Sequence, residues 1–186
     1  ILCRGKHALD EPRKKKIERY ANIHSDHVIS MPDVIGDKTA NTIYVIPLDL
    51  EKENFGEKDL TRLNLRRRKQ VDWSQWSKMV RRISSPSKEI NIALVGKYLD
   101  IGNFQLTDSY LSVAAALQHA GAKNDVRIKI HWVNSKDIEN WKVDFKKFDG
   151  ILVPGGFGNS GVEGKILAIE HARKTNTPFL GLCYGL

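Results

Sequence analysis

Ile90-Asn91-Ile92-Ala93-Leu94-Val95 constrains the fold of this chain more than any other stretch. The run is nearly all apolar, the pattern of a strand covered on both faces, and such strands belong to parallel sheets with helices packed above and below. The residues downstream keep the matching rhythm. Asp108 is placed to cap a helix whose Tyr110, Val113, Ala114 and Leu117 share one face and which Gly121 closes. Val126, Ile128, Ile130 and Trp132 alternate with Arg127, Lys129 and His131, the period of a half-exposed strand. A buried strand at Gly150-Ile151-Leu152-Val153, a helix from about Val162 to Lys174 and a strand at Pro178-Phe179-Leu180 complete the series. Strands alternating with helices predict a doubly wound α/β sheet.

The first half reads differently. Strands are expected at Val28-Ile29-Ser30 and Ile43-Tyr44-Val45-Ile46, separated by the polar insert Gly36-Asp37-Lys38-Thr39-Ala40-Asn41, which reads as an exposed loop. Residues 51–89 are charged and include Ser84-Ser85-Pro86-Ser87, a domain-boundary signal. Trp73, Trp76 and Val80 fall at helical spacing there, and the Trp pair reads as a packing anchor. The expected organisation is therefore 1–50, a connecting segment 51–89 with a short helix, and 90–186.

The net charge of +8 raises the question of nucleic acid, with cations bunched in Arg13-Lys14-Lys15-Lys16 and Arg66-Arg67-Arg68-Lys69. No aromatic platform interleaves with them and no nucleic-acid module is visible, so a solvated face or nucleotide phosphates account for the charge better. No apolar run approaches a bilayer's span, and Ile1-Leu2-Cys3-Arg4 is too short for a signal peptide, so no membrane partner is expected. Cys3 and Cys183 do not make a disulfide framework, which favours a reducing, cytoplasmic setting.

Two glycine-rich turns carry the chemistry. Gly181-Leu182-Cys183-Tyr184-Gly185 comes after the last strand and has the spacing of a nucleophile elbow with cysteine in place of serine. A lone cysteine after an apolar strand is otherwise an ordinary buried hydrophobe, and on the elbow alone the two readings are balanced. Val153-Pro154-Gly155-Gly156-Phe157-Gly158 ends the preceding strand, where backbone N–H groups can turn toward an oxyanion formed above Cys183. In doubly wound sheets ligands sit beyond the carboxyl ends of the strands, and both turns hold that position.

This pair of turns resembles the class I glutamine amidotransferases. Within them, Ala93-Leu94-Val95-Gly96-Lys97-Tyr98, Asp108-Ser109-Tyr110-Leu111-Ser112-Val113, Gly150 to Gly158 and Gly161-Val162-Glu163-Gly164-Lys165 look like the CTP synthase family. So do Cys3-Arg4, Lys16-Ile17, Val28-Ile29-Ser30 with Asp33-Val34, and Ile43-Tyr44 with Pro47-Leu48. The resemblance implies an amidotransferase half, truncated at the elbow, preceded by the C-terminal part of a P-loop-type synthetase domain. It implies glutamine hydrolysis through a Cys-His-Glu triad, with ammonia carried to a synthetase that uses ATP and Mg2+ to convert UTP to CTP. GTP as activator and a homotetramer are further implications.

Carried over residue by residue, Cys183 matches the nucleophile, while Gly156 and Tyr184 match backbone donors to the oxyanion and glutamine. The family more often has leucine at the Tyr184 position, which matters little for a backbone role. Arg4 and Lys16 match basic residues near the pyrimidine nucleotide, and Asp33 and Val34 an adenine-contacting segment. On residue type alone Arg4 and Lys16 read as surface charge. Ser160 stands where the family usually has arginine in a lid linked to GTP, so a weakened GTP response is expected. The insert at 36–41 loosens the carry-over to Asp33 and Val34.

The phosphate loop and Mg2+ carboxylates are expected before Ile1, so no metal ligand is assigned here, and the triad His and Glu are expected after Leu186. His119, His131 and His171 match no family base and read as surface residues. The 186 residues alone are expected neither to hydrolyse glutamine nor to make CTP, and to leave apolar surface exposed. Another cysteine-elbow hydrolase or amidotransferase, and a non-catalytic binding protein that keeps the fold, are the competing readings.

Overall fold

The computed structural model describes residues 1–34, 42–97, 100–101, 104–105, 107–156 and 160–186. The insert at 36–41 and the end of the second glycine turn, Phe157-Gly158, lie outside the described residues. The chain divides into two compact units, Ile1–Ser85 and Pro86–Leu186. Residues 51–85 fall within the first.

In the first unit, β1 (Leu2–Gly5) and β2 (Ile29–Pro32) pair in parallel, with Leu2 opposite Ile29 and Arg4 opposite Met31. Between them runs α1 (Glu11–Ala21). The Asp10 side chain caps it by accepting from the Arg13 N–H, Pro12 sits in its first turn, and Asn22 ends it in the left-handed conformation. The expected strand at Ile43–Ile46 does not form. Ile43–Val45 is a 3₁₀ turn leading into α2 (Ile46–Lys52). The β-branched run favours a strand locally, but Thr42 accepts from the Tyr44 N–H and Pro47 occupies the first helical turn, where its missing N–H costs nothing.

Two more helices complete the unit, α3 (Phe55–Arg62) and α4 (Ser74–Ser84). Val80 is buried, and Trp76 Nε1 donates to the Tyr44 carbonyl at 2.8 Å while the two rings meet edge-on with centroids 6.1 Å apart. Trp76 is thus the packing anchor its spacing suggested, and Trp73 sits at the cap position of the helix.

The second unit is an α/β sheet. It contains β3 (Lys88–Gly96), the short antiparallel pair β4 (Asp100–Ile101) and β5 (Phe104–Gln105), α5 (Leu111–Asn124), β6 (Val126–Asn134), α6 (Ser135–Glu139), β7 (Gly150–Val153), α7 (Val162–Thr175) and β8 (Phe179–Gly181). The main sheet runs β6-β3-β7-β8, with every pairing parallel. Alternate residues of β3 feed two cores. Ala93 and Val95 join Val133, Ile151, Val153 and the α7 residues Ala168 and Ala172 on one face. Ile92 and Leu94 join Leu152, Ile130, Trp132 and the α5 residues Val113 and Leu117 on the other. Helices on both faces account for the apolar run Ile92–Val95 of β3 and for the buried residues of β7.

Two details of α5 differ from the sequence reading. The helix begins at Leu111 with Tyr110 at its cap, so Asp108 is not the capping residue. It also runs through Gly121 to Asn124 and ends at Asp125, which adopts the left-handed conformation. Gly121 serves packing instead: a Cβ there would crowd the Val126 carbonyl oxygen at 2.5 Å and the Ile128 side chain at 3.2 Å. At the sheet's β8 edge Phe179, Leu180, Leu182 and Leu186 are exposed. No described helix is long and apolar enough to cross a membrane.

Candidate active site

The strand β8 delivers the chain to Cys183 through a turn that its neighbours force. Val153 at the end of β7 lies opposite Gly181, and the Leu182 N–H donates to the Val153 carbonyl at 3.0 Å. One 3₁₀ turn, Cys183–Gly185, comes immediately after, closed by the Gly185 N–H on the Leu182 carbonyl at 3.0 Å. Cys183 sits at φ +56°, a left-handed conformation that is unusual for a residue with a Cβ. The surrounding structure must hold this conformation, and conformations of this kind collect at functional sites.

The flanking glycines have a steric reason. A Cβ at Gly181 would overlap the backbone of Gly185, with its carbonyl carbon at 2.7 Å, and a Cβ at Gly185 would overlap Val153, with its carbonyl carbon at 2.8 Å. The G-x-C-x-G spacing is therefore what lets the chain fold back tightly enough to present a side chain at the end of the strand. Cys183 is exposed there and Cys3 is half-buried, and both are free thiols.

The second turn meets the first. The space a Cβ would occupy at Gly155 lies 3.3 Å from Cys183 Cβ and 3.6 Å from Sγ. Gly156 has φ +152°, a conformation that side-chain-bearing residues rarely adopt. Tyr184 is exposed, and Lys97 Nζ stands 5.7 Å from its ring centroid. The structure thus gathers Cys183, Tyr184, Gly155 and Gly156 at the carboxyl ends of β7 and β8.

It also brings in two lysines that motif reasoning missed. Lys97, just past β3, is 4 % exposed, and Lys165 on α7 is 2 % exposed. Lys165 Nζ donates to the Pro154 carbonyl at 2.8 Å and lies 3.6 Å from the Cβ position of Gly156. A signal existed for Lys165, since with Ala168 and Ala172 it occupies the buried stripe of α7 at helical spacing. A cation on an inward stripe needs a partner, and here the partner is a backbone carbonyl.

Burial is the main cause that lowers the pKa of Lys165 below the usual lysine value. The like charge of Lys97 acts in the same direction, and Cys183 opposes both. Below the lowered value both folded and unfolded chains carry the proton, and the folded state bears the cost of a poorly solvated ammonium. Between that value and 10.5 the unfolded chain binds more protons, so stability rises with pH. Denaturant titrations across that window are expected to show this rise, and Lys165→Met is expected to flatten it. An unchanged slope in the variant would contradict the assignment.

The histidines do not converge on Cys183. His119 lies at an exposed position of α5. His131 is half-buried, with Nε2 2.9 Å from Asn91 Oδ1 and its ring against Phe148, and His171 is half-buried and stacked on Phe145 with centroids 4.8 Å apart. The surface reading is thus corrected for His131 and His171, which pack against aromatic rings.

The nucleotide candidates belong to the first unit. Arg4 on β1 reaches Asp33 just after β2, with Nη2 at 2.6 Å and Nε at 3.0 Å from Asp33 Oδ1. The parallel pairing of the strands brings them together. Val34 is buried, whereas Lys16 is exposed on α1. Within the basic run Arg13 pairs with Asp10, and Lys14 Nζ lies 3.2 Å from Glu53 Oε2. Ser160 is exposed in the turn before Gly161. Among the described residues no three His, Cys, Asp or Glu side chains gather in a way that would hold a metal ion.

Residues 105–186 match the model for "Glutamine amidotransferase class-I". Over its whole length the chain is 42% identical to a CTP synthase of Methanococcus maripaludis, covering 34% of that protein. It is 44% identical to one of Gloeothece citriformis, covering 32%. The chain spans about a third of the length of the curated relatives it matches. Among solved structures it is similar to the glutaminase domain of Trypanosoma brucei CTPS with bound acivicin, at 40% identity and a TM-score of 0.44, over 52% of this chain and 37% of that one.

Proposed function

We propose that this chain, whose residues 105–186 belong to the class I glutamine amidotransferases and which is similar throughout to CTP synthases, supplies the glutaminase nucleophile of a glutamine-dependent CTP synthase. The observation that carries the proposal is the meeting of two glycine turns, with Cys183 held left-handed at the end of β8 against Gly155.

In this reading Cys183 Sγ attacks the carboxamide carbon of glutamine. The Gly156 and Tyr184 N–H groups receive the developing oxyanion, the C–N bond breaks, and the nitrogen leaves as ammonia after taking up a proton. The resulting glutamyl thioester is then hydrolysed to glutamate by water. The thiolate, not the thiol, is the nucleophile, so the reaction calls for a partner base, and the resemblance implies a histidine oriented by a glutamate. His119, His131 and His171 are not placed for that role.

The released ammonia would serve a synthetase in which ATP phosphorylates UTP and ammonia displaces the phosphate. The first unit would be the end of that synthetase's P-loop-type domain, with Arg4, Lys16, Asp33 and Val34 on its nucleotide side. The exposed pair Arg4–Asp33 would have to open or rotate to meet a nucleotide, at little cost because such exposed pairs contribute about 0–1 kcal/mol. Magnesium would be held by residues other than those described here. A cytoplasmic homotetramer activated by GTP is part of the same reading, with the activation weakened by Ser160.

The test is an assay of the full-length protein with UTP, ATP, Mg2+ and glutamine, run with and without GTP. CTP and glutamate are expected in equal amounts, with weak stimulation by GTP. Glutamate release without CTP would overturn the synthase reading, and strong GTP stimulation would overturn the role given to Ser160.

A further inference from the structure

We infer that Lys165 is a positioning residue of the glutaminase reaction, bracing the Pro154 peptide so that the Gly155-Gly156 turn stays folded against Cys183. This rests on the reading of Cys183 as the nucleophile. Gly155 and Gly156 have no side chains to anchor them, and glycine has the most backbone freedom to lose. A turn that must present an N–H to an oxyanion within a few tenths of an ångström needs a restraint from elsewhere.

Lys165 is in the place to provide one. Its ammonium donates to the Pro154 carbonyl at 2.8 Å, a charge-assisted bond to the peptide that leads into the two glycines. The same nitrogen lies 3.6 Å from the Cβ position of Gly156, so it supports the turn from beneath. The stem cannot easily move away, because Lys165 emerges from the buried stripe of α7 between Gly164 and Ala168. Gly164 is pressed against Ser135 at the start of α6, with the Ser135 carbonyl carbon 2.6 Å from where a Cβ would stand. The anchor of the lysine is therefore a closely packed helix crossing, a rigid base for a positioning group. Burial and the like charge of Lys97 oppose the charge, and the negative charge that Cys183 bears as a thiolate favours it.

Lys165→Met in the full-length protein tests this, because methionine keeps the packed stem and removes the donor. The glutaminase kcat is expected to fall about ten- to hundredfold, below the loss for a direct oxyanion donor, while KM changes less than about threefold. Lys165→Arg, which restores a cationic donor, is expected to recover at least about a third of the lost kcat on a logarithmic scale. A kcat for Lys165→Met within about twofold of the parent would overturn the inference. A loss seen in KM alone, or no recovery in Lys165→Arg, would overturn it too. Cys183→Ser is assayed alongside: if it releases ammonia as fast as the parent, the nucleophile reading itself falls, and that failure is distinct from the lysine's.

Discussion

Cys183→Ser in the full-length protein is expected to lower glutamine-dependent CTP formation by at least about a thousandfold, while ammonium chloride supplied directly still supports synthesis. The size of the effect comes from the chemistry. Serine's hydroxyl is a far weaker nucleophile than a thiolate in a site arranged for sulfur, and no other exposed thiol sits at this turn. The selectivity comes from the proposed division of labour, because ammonia added from outside does not need the elbow. The readouts are CTP by absorbance and glutamate by a coupled assay. Loss of both activities together would mean that the substitution damaged the fold, and retention of glutamine-dependent synthesis would remove Cys183 from the mechanism. Trapping the parent with an electrophilic glutamine analogue and locating the adduct on Cys183 gives a second, activity-independent check.

Gly164→Ala is expected to cost about 3 kcal/mol or more of stability, although alanine is the better helix former by about 1 kcal/mol. A Cβ at Gly164 would overlap the Ser135 carbonyl oxygen, with the carbonyl carbon at 2.6 Å and Cα at 3.1 Å. Both partners are backbone, so no side chain can swing aside. Ser135 is itself buried, and the Gly164 N–H donates to Glu139 Oε1 at 3.1 Å, so α6 and α7 are tied where they cross. Separating them would open the core of Val133, Ile138 and Ala168. Gly56→Ala is the control: among the described residues its Cβ position meets Arg67 Nη2 at 3.4 Å, the end of a flexible side chain, and stability is expected to change by less than about 1 kcal/mol. Denaturant unfolding of the two variants measures the difference. Equal midpoints would show that the helix crossing tolerates a methyl group and would weaken the case for a rigid anchor under Lys165.

The parts of the fold legible in the sequence are those where local pattern and tertiary demand coincide. β7 is found where Gly150-Ile151-Leu152-Val153 places it, and α7 ends one residue past its expected limit, because apolar runs and helical stripes already encode burial. Ile43–Ile46 failed the same reasoning: four strand-forming residues became a 3₁₀ turn and a helix, through a Thr42 cap and a proline at the helix start. Gly121 misled in a related way, since it looks like a helix stop and is a close-packing position against Val126. Asp108 failed because any of several polar residues near a helix start can satisfy the same capping pattern, and the backbone at Tyr110 decided the boundary.

The site divides along the same line. The sequence by itself singled out Cys183 as the candidate side chain, because G-x-C-x-G and Pro-Gly-Gly report a purely local need for residues without a Cβ around a sharp turn. It also determined the parallel α/β architecture that puts both turns at the same end of neighbouring strands. Only the tertiary structure decided that Gly155 packs on Cys183, that Arg4 is already engaged with Asp33, and that a lysine rises from α7 to hold the Pro154 carbonyl. Pattern records whether a position is buried, whereas pairing depends on which distant residue arrives beside it. Lys165 shows the difference, since a cation on an apolar stripe looks like a fault until the carbonyl it serves is in place.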